Sequence, residues 1–149
     1  MMIDLESILK EWQEDCEISQ HQLDEVSRQT PSLHAKYLQY LALAKLQLKR
    51  SENNQKTLLK QKFLYYNGKM SQEEIVATGW DLDPFNGLRM LKGEMDYYYD
   101  SDPEIQKSEE KILYHKTLIE SLSNIVDTLK WRHQTIKNMI DWRKFEAGG

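Results

Sequence analysis

Four lysines carry the sharpest chemical signal in this 149-residue sequence. Lys45, Lys49, Lys56 and Lys60 follow one another at steps of 4, 7 and 4 residues. On an α-helix, at 100° per residue, that spacing gathers them within about 60° on one face, along about 22 Å of axis. Fixed cations at such a pitch neutralise successive phosphates and release counterions, so the chemistry is salt-sensitive, sequence-independent binding of a polyanion. Lys62 and Lys69 extend the run, and Tyr65 and Tyr66 lie between them. Aromatic rings beside a cationic groove are what single strands use for base stacking. A plainer reading stands next to this one: a solvated lysine face above core tyrosines, on a helical coiled-coil scaffold that binds only protein. Glu52 falls on the stripe and weakens its centre.

The distribution of charge bears on this choice without closing it. The net charge is -4, but residues 1–35 carry -6, residues 36–69 carry +7 and residues 70–149 carry -5. A basic island inside an acidic chain marks a polyanion site more clearly than the overall balance does.

Chemistry that makes or breaks bonds has little to work with. His21, His34, His115 and His133 show no HExxH or Cys/His ligand spacing. Cys16 is the single cysteine, which excludes an internal disulfide or a thiolate-rich zinc site and points to a reducing compartment. The acidic run Glu94, Asp96, Asp100, Asp102 and Glu104 lacks EF-hand spacing and reads as a solvated loop rather than the magnesium site of a nuclease. Phosphate loops, nucleophile elbows and dinucleotide fingerprints are missing. The expectation is a non-enzyme without cofactor or metal. No run approaches the ~20 apolar residues of a membrane span, and the acidic stretch Met1 to Glu17 has no signal-peptide apolar region.

The elements that must position these residues are helices. A short amphipathic helix starts at an Asp4 cap and carries Ile3, Ile8, Trp12 and Cys16 on one side. Thr30-Pro31 predicts the start of a second helix, uninterrupted by Gly or Pro until Asn67-Gly68 closes it. Its apolar stripe is expected at Leu41, Leu48, Leu59 and Tyr66, flanked by Tyr37 and Ala44. Residues 69–102, punctuated by Gly79, Pro84, Gly87 and Gly93, predict short helices and turns, and the pattern admits an extended run from Met95 to Tyr99. The triplet Tyr97-Tyr98-Tyr99 reads as packing.

Asp102-Pro103 then opens a long helix with a heptad pattern. One line runs Ile105, Ile112, Ile119, Val126, His133, Ile140, and the other Ser108, His115, Leu122, Leu129, Ile136, Arg143. The fold class is all-α, with long amphipathic helices, an irregular middle and a C-terminal coiled-coil or bundle seam. His115 and His133 read as polar register positions on that seam.

Two stretches resemble a known family. Leu59-Lys60-Gln61-Lys62-Phe63-Leu64-Tyr65-Tyr66-Asn67-Gly68 is similar to the Lys-Ala-Arg-Leu box, followed by Tyr-Tyr and Gly, of the UvsY recombination mediators of T4-like bacteriophages. Arg143-Lys144-Phe145-Glu146-Ala147-Gly148 resembles that family's closing Arg-x-Phe-Glu-Ala-Gly. The order of features agrees over essentially the whole chain. Lys62 stands where the family has arginine and Phe63 where it has leucine. The resemblance implies a non-catalytic protein that binds single-stranded DNA in the cytoplasm of an infected bacterial host. It also implies a closed hexamer or heptamer that helps the RecA-like recombinase UvsX load onto DNA covered by the phage single-strand-binding protein. On this reading residues 1–100 form the DNA-binding region, with Lys60 and Lys62 as phosphate contacts. Residues 101–149 form the assembly helix, through Ile112, Ile119, Leu122, Val126, Leu129, Ile136 and Ile140.

Overall fold

The computed structural model describes residues 3–148, and among them every regular element is helical. The elements are α1 (Leu5–Asp15), α2 (Leu23–Tyr66), α3 (Gln72–Thr78), a single 3-10 turn (Lys92–Glu94), α4 (Met95–Asp100), α5 (Pro103–Lys130) and α6 (Arg132–Glu146). Asp4 caps α1 as expected, its carboxylate accepting from the Ser7 N–H at 3.1 Å. No helix is long and apolar enough to cross a membrane among the described residues.

Helix α2 begins eight residues before the expected start, and Pro31 lies inside it. An interior proline costs about 3 kcal/mol, since it removes one helical hydrogen bond. Burying Leu23 and Val26, each 8% exposed, contributes roughly 1.5–3 kcal/mol apiece and offsets that cost. Asp24 and Glu25 in the first turn complement the positive end of the helix. The far end closes as the sequence indicates: Gly68 takes φ +68°, and the Lys69 N–H donates to the Leu64 carbonyl at 2.8 Å.

The chain forms two compact units, and α2 and α5 contribute to both. The first comprises residues 1–47 and 115–149. Its core joins Ile3 and Ile8 to Tyr37 and Ala44 of α2 and to Leu118, Leu122, Ile125 and Leu129 of α5. A polar clasp fastens α1 to α2, where Lys36 Nζ bonds Glu11 at 2.7 Å and Asp15 at 2.5 Å, and the Tyr37 hydroxyl donates to Asp15 at 2.8 Å. Burial disfavours the charged form of Lys36, yet the bonds to Asp15 and Glu11 outweigh it and hold the ammonium above its ordinary pKa.

The seam of α5 differs from the expected register. Leu118 and Ile125 are buried one position before Ile119 and Val126, which are half-buried, while Leu122 and Leu129 are buried as expected. A strict heptad line would serve a single partner helix. Here the buried band of α5 is centred on the Leu122–Leu129 line, with Leu118 and Ile125 on the side away from Ile119 and Val126. The long C-terminal helix also breaks at Trp131, where the backbone leaves the helical region at φ -95° and ψ 0°. No Gly or Pro marks this break. Beyond it Arg132 is buried and donates to the carbonyls of Asp15 at 3.0 Å and Glu17 at 3.1 Å, satisfying the C-terminal end of α1.

The second unit, residues 48–114, is built around an aromatic core. Tyr65, Tyr66 and Ile75 form its centre, with Met70, Trp80, Phe85, Met95, Tyr98 and Tyr99 around them. Met95 to Tyr99, where the pattern admitted an extended run, is helical. A helical turn puts Met95, Tyr98 and Tyr99 on one side, and both Tyr98 and Tyr99 reach the Tyr66 ring. Leu59, expected in the apolar stripe of α2, is 39% exposed, whereas Ser51 and Lys62 of the same helix are buried.

Candidate nucleic-acid interface

The exposed cations of α2 form the candidate site. In the second unit Lys49, Lys56 and Lys60 are all exposed. They fall within about 40° of helix surface, over roughly 16 Å of axis. Lys69, just past the glycine turn, is exposed as well, its Nζ 5.2 Å from the centre of the Phe63 ring. Lys45 is exposed on the stretch of α2 that belongs to the first unit. Among the described residues none of these five lysines is held in an ion pair. The positive charge is therefore available to an outside anion rather than neutralised by the chain's own carboxylates.

Lys62, Tyr65 and Tyr66 are placed otherwise, and correct the sequence expectation. Lys62 is buried at 3% exposure, with Nζ 2.9 Å from Asp102 Oδ2 and 3.6 Å from a Glu104 oxygen. Its ammonium also lies 3.8 Å from the centre of the Trp80 ring, a close cation–π contact. Trp80 Nε1 in turn donates to Glu104. The two tyrosines are no surface for bases: Tyr65 donates to the Asp81 carbonyl at 2.5 Å, and Tyr66 donates to Asp102 Oδ2 at 2.6 Å. The reason was latent in the spacing. Lys60 and Lys62 are two residues apart, hence about 200° apart on a helix, so one of them must face inward when the other faces out.

Asp102 is the centre of this inner network; the sequence places it as a cap and in an acidic run read as a solvated loop, and its burial at 3% exposure corrects the second reading. Its Oδ1 accepts the backbone N–H groups of Glu104 at 2.9 Å and Ile105 at 3.1 Å, starting α5, while Oδ2 receives Tyr66 and Lys62. Burial alone would raise its pKa, but these hydrogen bonds, from Tyr66 first and then Lys62, win and hold the carboxyl below its ordinary value. The same network, with burial as the largest cause, pushes the Tyr66 hydroxyl well above the ordinary tyrosine range. Asp102 and Glu104, part of the acidic run, thus act as counter-ions to an internal cation. No local signal announced their partner. Phe63 was likewise passed over, although its place seven residues after Lys56 sets it on the lysine face.

The seam positions assigned to assembly fall into two groups. Leu122, Leu129 and Ile136 are buried within the chain's own fold. Ile112, Ile119 and Val126 are half-buried, and Ile140 is 37% exposed.

Comparison with known proteins places this architecture. Residues 11–149 match the profile of a family described as "Recombination, repair and ssDNA binding protein UvsY". The chain is 28% identical over 144 residues to the recombination protein UvsY of Enterobacteria phage T4, covering 97% of this chain and 98% of that one. It is also similar to crystal structures of the bacteriophage T4 recombination mediator protein UvsY. One of these, lattice type II, aligns with a TM-score of 0.79 and 27% identity, over 98% of this chain and 99% of the other. Another, lattice type IV, aligns with a TM-score of 0.77 and 25% identity, over 97% and 99%.

Proposed function

The chain belongs to the UvsY family of recombination, repair and single-stranded-DNA-binding proteins, and on that premise we propose that its exposed lysine face holds single-stranded DNA while the protein loads a RecA-like recombinase of the UvsX type onto it. The observation that carries this reading is the set of exposed cations Lys49, Lys56, Lys60 and Lys69, with Lys45 further along α2, none held in an ion pair among the described residues. Lys62 supports the face from within. The strand to be loaded is one covered by the phage single-strand-binding protein, and the compartment is the host cytoplasm.

A single subunit offers only a handful of charges, so its grip on a strand is modest. A closed hexamer or heptamer presents the same face to one strand several times, and effective concentration multiplies the affinity without any new interaction. Residues 101–149 supply the assembly region in this proposal. Ile140, Trp142 and Phe145 of α6, exposed at 37%, 61% and 70%, are apolar surface that an oligomer would cover. Ile112, Ile119 and Val126 flank the inner seam, whereas Leu122, Leu129 and Ile136 hold the subunit itself together.

The test is a fluorescence-anisotropy titration of a labelled single-stranded oligonucleotide at two salt concentrations, beside a duplex of equal length. Binding that collapses with salt and favours the single strand is expected. A protein that ignores the oligonucleotide at low salt would instead be a helical scaffold that binds only protein.

A further inference from the structure

Lysines by themselves do not explain a preference for single strands. A duplex carries the denser phosphate charge and releases more counterions per phosphate neutralised, so a bare cationic face favours it or treats both alike. Discrimination needs a group that recognises something the duplex hides. The open face of a base is such a feature, because in a duplex it is covered by its neighbours.

Phe63 is placed to recognise it. It follows Lys49 by 14 residues and Lys56 by 7, which holds all three within about 40° on the helix. The side chain is 46% exposed, while Tyr65 and Tyr66 close by are 6% and 8% exposed. Its backbone is anchored at the end of α2, where Asn67 Nδ2 donates to the Phe63 carbonyl at 2.7 Å. The Lys69 ammonium lies over one face of the ring, 5.2 Å from its centre, in a cation–π contact, so a base would stack on the other face or displace the ammonium as it turns to the adjacent phosphate. Phenylalanine has no polar atom that would favour such a wet, cationic position, and burying it would have been worth as much as burying a leucine.

We propose that Phe63 is a base-stacking residue of the lysine face, with Lys69 holding the adjacent phosphate, and that this pair strengthens this chain's preference for unpaired strands beyond what the leucine its family has at this position would give. The inference rests on the DNA-binding reading above and adds to it a residue that discriminates. Stacking is indifferent to base identity, so the preference is for strandedness and not for sequence.

The experiment compares wild type, Phe63→Leu and Phe63→Tyr on three ligands of equal length: a single-stranded oligonucleotide, the same strand with abasic sites throughout, and a duplex. Phe63→Leu should weaken single-strand binding roughly 5- to 150-fold, the loss of one stacked base. Its salt slope should stay at the wild-type value, since no charge is removed. Binding to the abasic strand and to the duplex should not change, and Phe63→Tyr should retain wild-type affinity. Wild-type affinity for the single strand in Phe63→Leu overturns the proposal, as does an equal loss on all three ligands. Wild type that binds no single strand at all refutes the DNA-binding reading itself, a result distinct from failure of Phe63 alone.

Discussion

Lys62 Nζ lies 2.9 Å from Asp102 Oδ2, and the two side chains are only 4% and 2% exposed. The last turn of α2 is thereby tied to the first turn of α5, because the same carboxylate caps α5 through the Glu104 and Ile105 amides. A basic residue in a box that resembles a DNA contact is thus an internal counter-ion. Its outward neighbour Lys60 is exposed.

Truncating Lys62 should therefore damage the fold more than the charge of the surface. Lys62→Ala leaves Asp102 buried without its cation, a situation worth about 3–5 kcal/mol of lost stability. Urea unfolding followed by circular dichroism reads this directly. The double variant Lys62→Met/Asp102→Asn should recover part of the loss, since it removes both charges together. Full stability in Lys62→Ala would show that the pair is not closed in solution.

The depressed pKa of Asp102 sets the acid limb of stability. A carboxyl whose folded pKa lies below its unfolded value contributes stability above the unfolded value, and loses it as pH falls through the folded one. The wild type should therefore hold this contribution at neutral pH and lose it below roughly pH 4, where a free aspartate protonates. Asp102→Asn should be less stable at pH 7, with the difference shrinking as the pH drops below that range. Thermal melts between pH 7 and pH 3 would show whether the two curves converge.

The exposed lysines should behave in the opposite way to Lys62. Lys49→Ala, Lys56→Ala and Lys60→Ala combined should change unfolding stability by no more than about 0.5 kcal/mol, because each side chain is solvated. Their combined effect on single-strand binding should appear in the salt dependence. The slope of log K against log salt should fall by about 2, at roughly 0.7 for each phosphate that is no longer neutralised. An unchanged slope would move the DNA site away from this face.

Assembly is best tested at the exposed end of the C-terminal region. Leu129 is 2% exposed and packed in the subunit core, so Leu129→Asp should unfold the protein, and loss of an oligomer there would say nothing about an interface. Ile140→Asp alters a residue that is 37% exposed and should leave the helical content intact. Analytical ultracentrifugation should show it dissociated to smaller species. A full-size oligomer at unchanged helicity would place the interface elsewhere.

Much of the architecture was legible in the chain alone, and the legible parts share a cause. Asp4, Asn67-Gly68 and Asp102-Pro103 mark helix ends through hydrogen bonds and backbone preferences that reach only a few residues. The 4-7-4 spacing of the lysines fixes their common face by helix geometry, whatever else the chain does. The remaining features depend on partners far along the sequence. Helix α2 runs through Pro31 because Leu23 and Val26 find burial. The break at Trp131 carries no local mark, and the buried Arg132 beyond it meets carbonyls more than 100 residues away. Lys62 turns inward because Asp102, Glu104 and Trp80 wait there. Spacing could say that Lys60 and Lys62 face opposite ways, but only the packed structure decided which of them would be the buried ion, since a charge enters a core only where its counter-ions are already in place.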